Sequence, residues 1–147
     1  MGDFGKEIDS VFANERVKAM LNIKYTASWL DQIGMKILKP HNISEQQYNI
    51  LRILRGAGKS ISVNDVKKRM IQKSPNSTRL MDKLCEKKYI ERSRCENDRR
   101  VVFVKITTKG LKLLDAIKMD EFDQVMQKLS ESEAKLLNEL LDKSRNQ

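Results

Sequence analysis

The sequence is poor in the residues that most enzyme chemistry requires. It contains one histidine, His41, and two cysteines, Cys85 and Cys95. A lone imidazole in a connector places no general base beside a nucleophile, so neither an acid–base nor a covalent enzyme is expected. The cysteines are too far apart for a CxxC pair and no second ligand stands at metal spacing. Neither a disulfide framework nor a metal site is expected, and no cofactor. No apolar run approaches the length that spans a bilayer, so no membrane partner is expected. The opening MGDFGKEIDS has neither the apolar core nor the cleavage site of a signal peptide, which predicts a cytoplasmic protein. Its Met-Gly start resembles a myristoylation signal, but Lys6 stands where that signal needs Ser or Thr.

What the chain does have is charge, and the charge is unevenly placed. Its 147 residues carry a formal net charge of +9. From Ser44 to Gly110 there are 17 Lys and Arg against 7 Asp and Glu, whereas the remainder holds 12 against 13. A central module therefore carries all the excess positive charge, as a polyanion-binding surface would, between two nearly neutral ends.

Apolar spacing divides the chain in the same way. Between about Glu7 and Leu38 there is no proline, and Phe12, Ala19, Ile23, Leu30, Ile33 and Ile37 recur at intervals of three, four or seven. This pattern predicts one long helix, with an apolar face wide enough for more than one packing partner. After KPHN, Ser44 and Gln47 form a capping box that opens a helix through Leu51 and Leu54, and Gly56 to Gly58 stop it. Ser62 with Asp65 starts a short helix, and Ser74 with Pro75 starts the next. In that helix Leu80, Leu84, Met81 and Cys85 form a core-facing stripe, while Asn76, Arg79 and Lys83 share another face. IERSRC and VVFVKI are β-rich around the turn-favouring ENDRR, which predicts a hairpin. Thr107 or Thr108 then caps a helix expected to run through Leu111, Leu114, Ile117, Phe122, Val125 and Leu129, and Ser130 with Glu133 caps the last one.

The expected fold is therefore mainly α with a small β-hairpin. A connector and first helix (1–43) lead into three short helices and a hairpin (44–110), the order of a winged helix-turn-helix, and helices follow over 111–147. Such a module inserts the amino-terminal turns of its last helix into the major groove of duplex DNA. Ser74, Asn76, Ser77, Thr78, Arg79 and Lys83 then become candidate DNA contacts, with Asn and Arg able to meet adenine and guanine edges bidentately. At the hairpin tip Arg99 and Arg100 suit a narrow minor groove, and Asp98 is expected to orient one of them.

The segment SPNSTRLMDKLCEKKYIERSRCENDRRVVFVKITTKG resembles the core of the multiple-antibiotic-resistance regulator (MarR) family. The resemblance is carried by Thr78, Arg79, Asp82, Leu84, Asp98, Arg100, Thr107 and Gly110, and it covers about half the chain closely. It implies a homodimer interlocked through its first and last helices and bound to a pseudo-palindromic operator. It also implies a repressor of genes that is released by a small anionic or phenolic effector or by an oxidant. The family's effector pocket lies between the dimerisation helices and the DNA-binding lobe. Two readings stay open for Tyr25 and Trp29 on the first helix: they line that pocket, or they form interface core and rim. Cys85 reads as a core cysteine and Cys95 lies near the wing; the family's peroxide sensors carry their cysteine in the first helix, where this chain has none. Lys88 stands where the family usually has glycine, so a left-handed backbone there would cost on the order of 1 kcal/mol. The competing function from another class is a winged-helix protein-interaction adaptor without specific DNA readout, since fold alone does not fix function.

Overall fold

The computed structural model describes residues 2–146. Its helices are α1 (Phe4–Glu7), α2 (Glu15–Leu38), α3 (Glu45–Ala57), α4 (Val63–Arg69), α5 (Ser77–Glu86), α6 (Thr108–Ala116), α7 (Asp120–Met126) and α8 (Glu131–Arg145), with a 3-10 turn at Lys39–His41. Three strands, β1 (Ile61–Ser62), β2 (Ile90–Arg94) and β3 (Val102–Ile106), form an antiparallel sheet in the order β1-β3-β2. The described residues fall into two compact units, one ending at Ile117 and the other beginning at Lys118.

In the first unit, α3 is the central helix. Its Ile50, Leu51 and Leu54 are buried together with Val66 of α4, Met81 and Leu84 of α5, Val104 and Ile106 of β3, and Leu114 of α6. The capping box at Ser44 is present in full, with the Ser44 hydroxyl accepting from the Gln47 N–H and the Gln47 side chain accepting from the Ser44 N–H. Gly58 ends α3 in a left-handed conformation (φ 64°), which glycine adopts without the steric cost of a Cβ. Because α6 packs on α3, this unit extends past Gly110 to the buried Ile117.

Three sequence expectations are corrected. The first helix does not run unbroken from Glu7: α1 ends there, Asp9 turns into the left-handed region (φ 48°), and α2 starts at Glu15 with the Asn14 carboxamide accepting the Val17 N–H. Phe12, counted in the helical stripe, lies in that connector and stacks on Phe4 with centroids 5.3 Å apart. The helix expected over 108–129 is broken between Ile117, which is extended (φ −82°, ψ 113°), and Met119. The step of five from Ile117 to Phe122 breaks the helical spacing. Asp120, Glu121 and Asp123 then suit the positive end of a new helix. The two-residue β1 is absent from the sequence reading, because Ser62 reads as a cap; it is both, pairing with Phe103 and accepting the Asp65 N–H.

The second unit contains α7 and α8. Here Ser130 and Glu133 form the expected capping box, and the Glu133 carboxyl is held below its usual range by hydrogen bonds from the Ser130 backbone and hydroxyl. Leu136, Leu137 and Leu140 of α8 are exposed.

Candidate nucleic-acid interface

Helix α5 and the β2–β3 hairpin form the basic surface, and the chain between them fixes their relation. At the end of α5, Lys88 donates its N–H to the Cys85 carbonyl (2.9 Å) and Tyr89 donates to that of Leu84 (3.0 Å). These are the two bonds of a Schellman motif, whose left-handed position is Lys88 at φ 64°. The strain anticipated for a lysine there is therefore present. The first turn of α6 holds this corner in place. The Thr107 hydroxyl lies 2.7 Å from the Lys88 carbonyl and 3.0 Å from that of Tyr89, and it accepts the Gly110 N–H. Lys109 donates to the Lys87 carbonyl (2.9 Å) and its ammonium sits 5.0 Å from the Tyr89 ring centroid.

The start of α5 differs from the sequence reading. Ser74 is not its N-cap, because Pro75 and Asn76 form a turn and α5 begins at Ser77. The Ser74 hydroxyl instead accepts the Asn76 N–H (3.1 Å), and the Ser77 hydroxyl donates to the Ser74 carbonyl (2.7 Å). Ser77, expected on the outward face, is 1% exposed and shapes this turn from inside. Asn76 makes no side-chain cap, so the first turn of α5 keeps N–H groups unserved by a capping side chain. Asn76, Thr78, Arg79 and Lys83 are all exposed, and Ser74 is half-buried.

At the wing tip Asp98, Arg99 and Arg100 are exposed. Asp98 does orient its neighbour, but through the backbone: its carboxylate accepts the Arg100 N–H (2.9 Å) and its carbonyl accepts the Val101 N–H (3.0 Å). That local turn aims the peptide chain and leaves the Arg100 guanidinium to reach outward. Between α4, α5 and the wing lies a cleft of about 250 Å³ whose lining includes Asn64, Thr78, Arg92 and Arg100.

Arg92 is not among the sequence candidates. It pairs with Asp82 of α5 and also donates to the Thr78 carbonyl at 3.3 Å. The available signal was strand parity. In β2, Ile90 is buried and Arg92 follows two residues later on the same side, opposite Val104. The Cys85 thiol nearby is half-buried and its pKa is pushed up by burial, with Arg92 acting against the rise and Asp82 adding to it. On α2, Tyr25 and Trp29 are 42% and 41% exposed, and the Phe4 ring packs on Tyr25 at 5.2 Å.

Residues 32–117 match the family model described as transcriptional regulator SarA/Rot. The chain belongs to this family of MarR-like winged-helix regulators. It is 30% identical over 109 residues to the HTH-type transcriptional regulator MhqR of Bacillus subtilis (strain 168), covering 72% of this chain and 74% of that one. A cysteine-to-serine mutant of E. coli MarR, solved in complex with operator DNA, superposes with a TM-score of 0.70 at 28% identity, over 99% of this chain and 100% of that one. NadR in complex with 4-hydroxyphenylacetate gives a TM-score of 0.68 at 26% identity, over 84% and 89%. The chain is thus a DNA-binding transcription regulator, and the expected fold class and family resemblance both hold. Among the described residues no helix is long and apolar enough to cross a membrane.

Proposed function

We propose that this regulator acts as a homodimer on a pseudo-palindromic operator, as a repressor whose grip is relaxed by a small anionic or phenolic effector. The observation that carries the DNA half of this reading is the exposed, basic pair formed by the start of α5 and the wing tip. Arg79 and Asn76 reach base edges in the major groove, Thr78 and Lys83 hold phosphate, and Arg99 and Arg100 enter the flanking minor groove. Ser74 and Ser77 shape the turn that presents them. The N–H groups of the uncapped first turn of α5 add a partial positive charge that suits a phosphate.

Dimerisation is supported by apolar side chains that the chain leaves uncovered. On α2, Met20, Ile23, Tyr25, Trp29 and Met35 are exposed, and on α8 so are Leu136, Leu137 and Leu140. A second copy is the occupant that also gives a two-fold axis, which matches two recognition helices to successive turns of one duplex face. Tyr25 and Trp29 serve this interface, and an effector wedged beside them would alter the spacing of the two lobes. The effector class follows from NadR, whose complex holds a phenolic acid.

The test is selection of bound duplexes from a random pool, followed by measurement of stoichiometry on the winner. An inverted repeat bound by two chains, with half-sites about one helical turn apart, is the expected result. Recovery of an asymmetric site bound by one chain would overturn the dimeric reading.

A further inference from the structure

Arg92 carries the next step, which rests on the proposed DNA contacts of α5 and the wing. In β2 the side chains alternate faces, so Ile90 and Arg92 share the side on which Val104 and Ile61 are buried, in register across the sheet. An arginine on that side, next to a helix, is placed to find partners on that helix. Arg92 does: its guanidinium pairs with the Asp82 carboxylate and donates to the Thr78 carbonyl, four residues and one turn earlier on α5. Thr78, Arg92 and Arg100 line the same cleft, so the guanidinium shares it with the start of the recognition helix and the arginine of the wing.

We propose that Arg92 is a positioning residue that clamps the recognition helix to the wing, so that major-groove and minor-groove contacts are made as one unit rather than as two independent ones. Two N–H groups directed at two acceptors on one helix fix both the distance and the rotation of β2 relative to α5, which a single point charge would not do. An ion pair this exposed, with side-chain exposures of 31% and 49%, adds little to folding stability. Its effect belongs instead to the geometry of the bound state, where a small misplacement of the wing loses its groove.

The experiment measures affinity and salt dependence of the full-length protein for the duplex recovered from the selection above. The variants are Arg92→Lys, Asp82→Asn and Arg92→Ala, each with and without Arg100→Ala. Thermal unfolding and sedimentation verify fold and assembly. Clamping predicts that Asp82→Asn and Arg92→Lys, which keep the charge on residue 92, each weaken binding about tenfold with an unchanged salt slope. It also predicts that the loss caused by Arg100→Ala shrinks to about twofold or less in either background, because a wing already loose has little left to lose. The opposite pattern overturns the inference: parental affinity for Asp82→Asn and Arg92→Lys, with Arg92→Ala alone weaker and shallower in salt by about one unit, makes Arg92 a plain phosphate contact. If Arg100→Ala in the parent background, and Arg79→Ala measured beside it, both bind with parental affinity, the DNA-contact reading fails first and the clamp with it.

Discussion

Gly110 lies so close to the carbonyl oxygen of Tyr89 that a Cβ at that position would collide with it. The nearest obstacle is backbone, which cannot swing away, and the Ile106 side chain crowds the same point. The same tyrosine carbonyl is within reach of the Thr107 hydroxyl and accepts the Thr107 N–H at 3.0 Å, so the start of α6 and the α5–β2 corner are held together at one point. Gly110→Ala should therefore shift this corner and destabilise the fold by about 2 kcal/mol, as overpacking commonly does. Urea unfolding with an unchanged m-value would show it as a lowered midpoint. A midpoint equal to that of the parent would mean the corner yields freely.

Lys88 should give the opposite sign. Its φ of 64° is left-handed, and the two Schellman hydrogen bonds hold it there. Lys88→Gly removes the Cβ strain and should stabilise by up to about 1 kcal/mol, part of the gain being offset by the greater freedom of glycine in the unfolded chain. Lys88→Ala keeps the strain and should leave stability near the parental value. Equal midpoints for the glycine and alanine variants would show that the strain relieved is no larger than the entropy cost of glycine in the unfolded chain.

The two DNA-contacting elements should fail differently when trimmed. Arg79→Ala is expected to cost about 1–3 kcal/mol on the best duplex and to relax preference at one position of each half-site. Arg100→Ala should weaken binding to many sequences, most where the flanking minor groove is narrow and A·T-rich. Titrations on selected and scrambled duplexes at several salt concentrations distinguish them. If Arg100→Ala binds both like the parent, the wing is not in contact with DNA.

The contact between α2 and α3 provides a pH test. Glu45, the first residue of α3, rests against Gly34, where a Cβ would collide with its carboxylate. Burial raises its pKa above the ordinary 4.5, and the charge and hydrogen bond of Asp31 raise it further. The folded protein thus holds a proton that the unfolded chain releases more readily. The stability tied to this group is fully present below 4.5 and is lost as pH rises through the folded value. Glu45→Gln, neutral at every pH and able to donate to Asp31, should raise the melting temperature near neutral pH, leave it unchanged in the acid range, and flatten the curve between. A melting profile parallel to the parent across that range would remove Glu45 from the explanation.

Much of this was legible because local chemistry marks its own boundaries. Ser44 with Gln47, Ser130 with Glu133, and Gly58 each state a helix end within four residues, and each holds in the structure. The features that sequence reading missed depend on what lies opposite. Asn14 starts α2 because Asp9 turns the preceding chain and Phe4 packs on Phe12; the apolar spacing alone continues through that break. Ser77 reads as a DNA contact from its place near the start of the helix, but its spacing of four and seven to Met81 and Leu84 sets it on the buried stripe, where its hydroxyl closes the turn at Pro75. Arg92 reads as one more surface arginine until Asp82 is seen across from it.

The two-residue strand β1 has a kinetic consequence. Ile61 pairs with Val104 and Ser62 with Phe103, so this short ladder joins positions about forty residues apart and closes a loop that contains α4, α5 and β2 whole. Little enthalpy is at stake in so few hydrogen bonds, yet the loop cannot close until everything inside it is nearly in place. The reading head should therefore assemble late and open as a single cooperative block. Its amides in α5 and the wing should exchange with deuterium together, at one shared rate, and not fray separately from the hairpin tip inward.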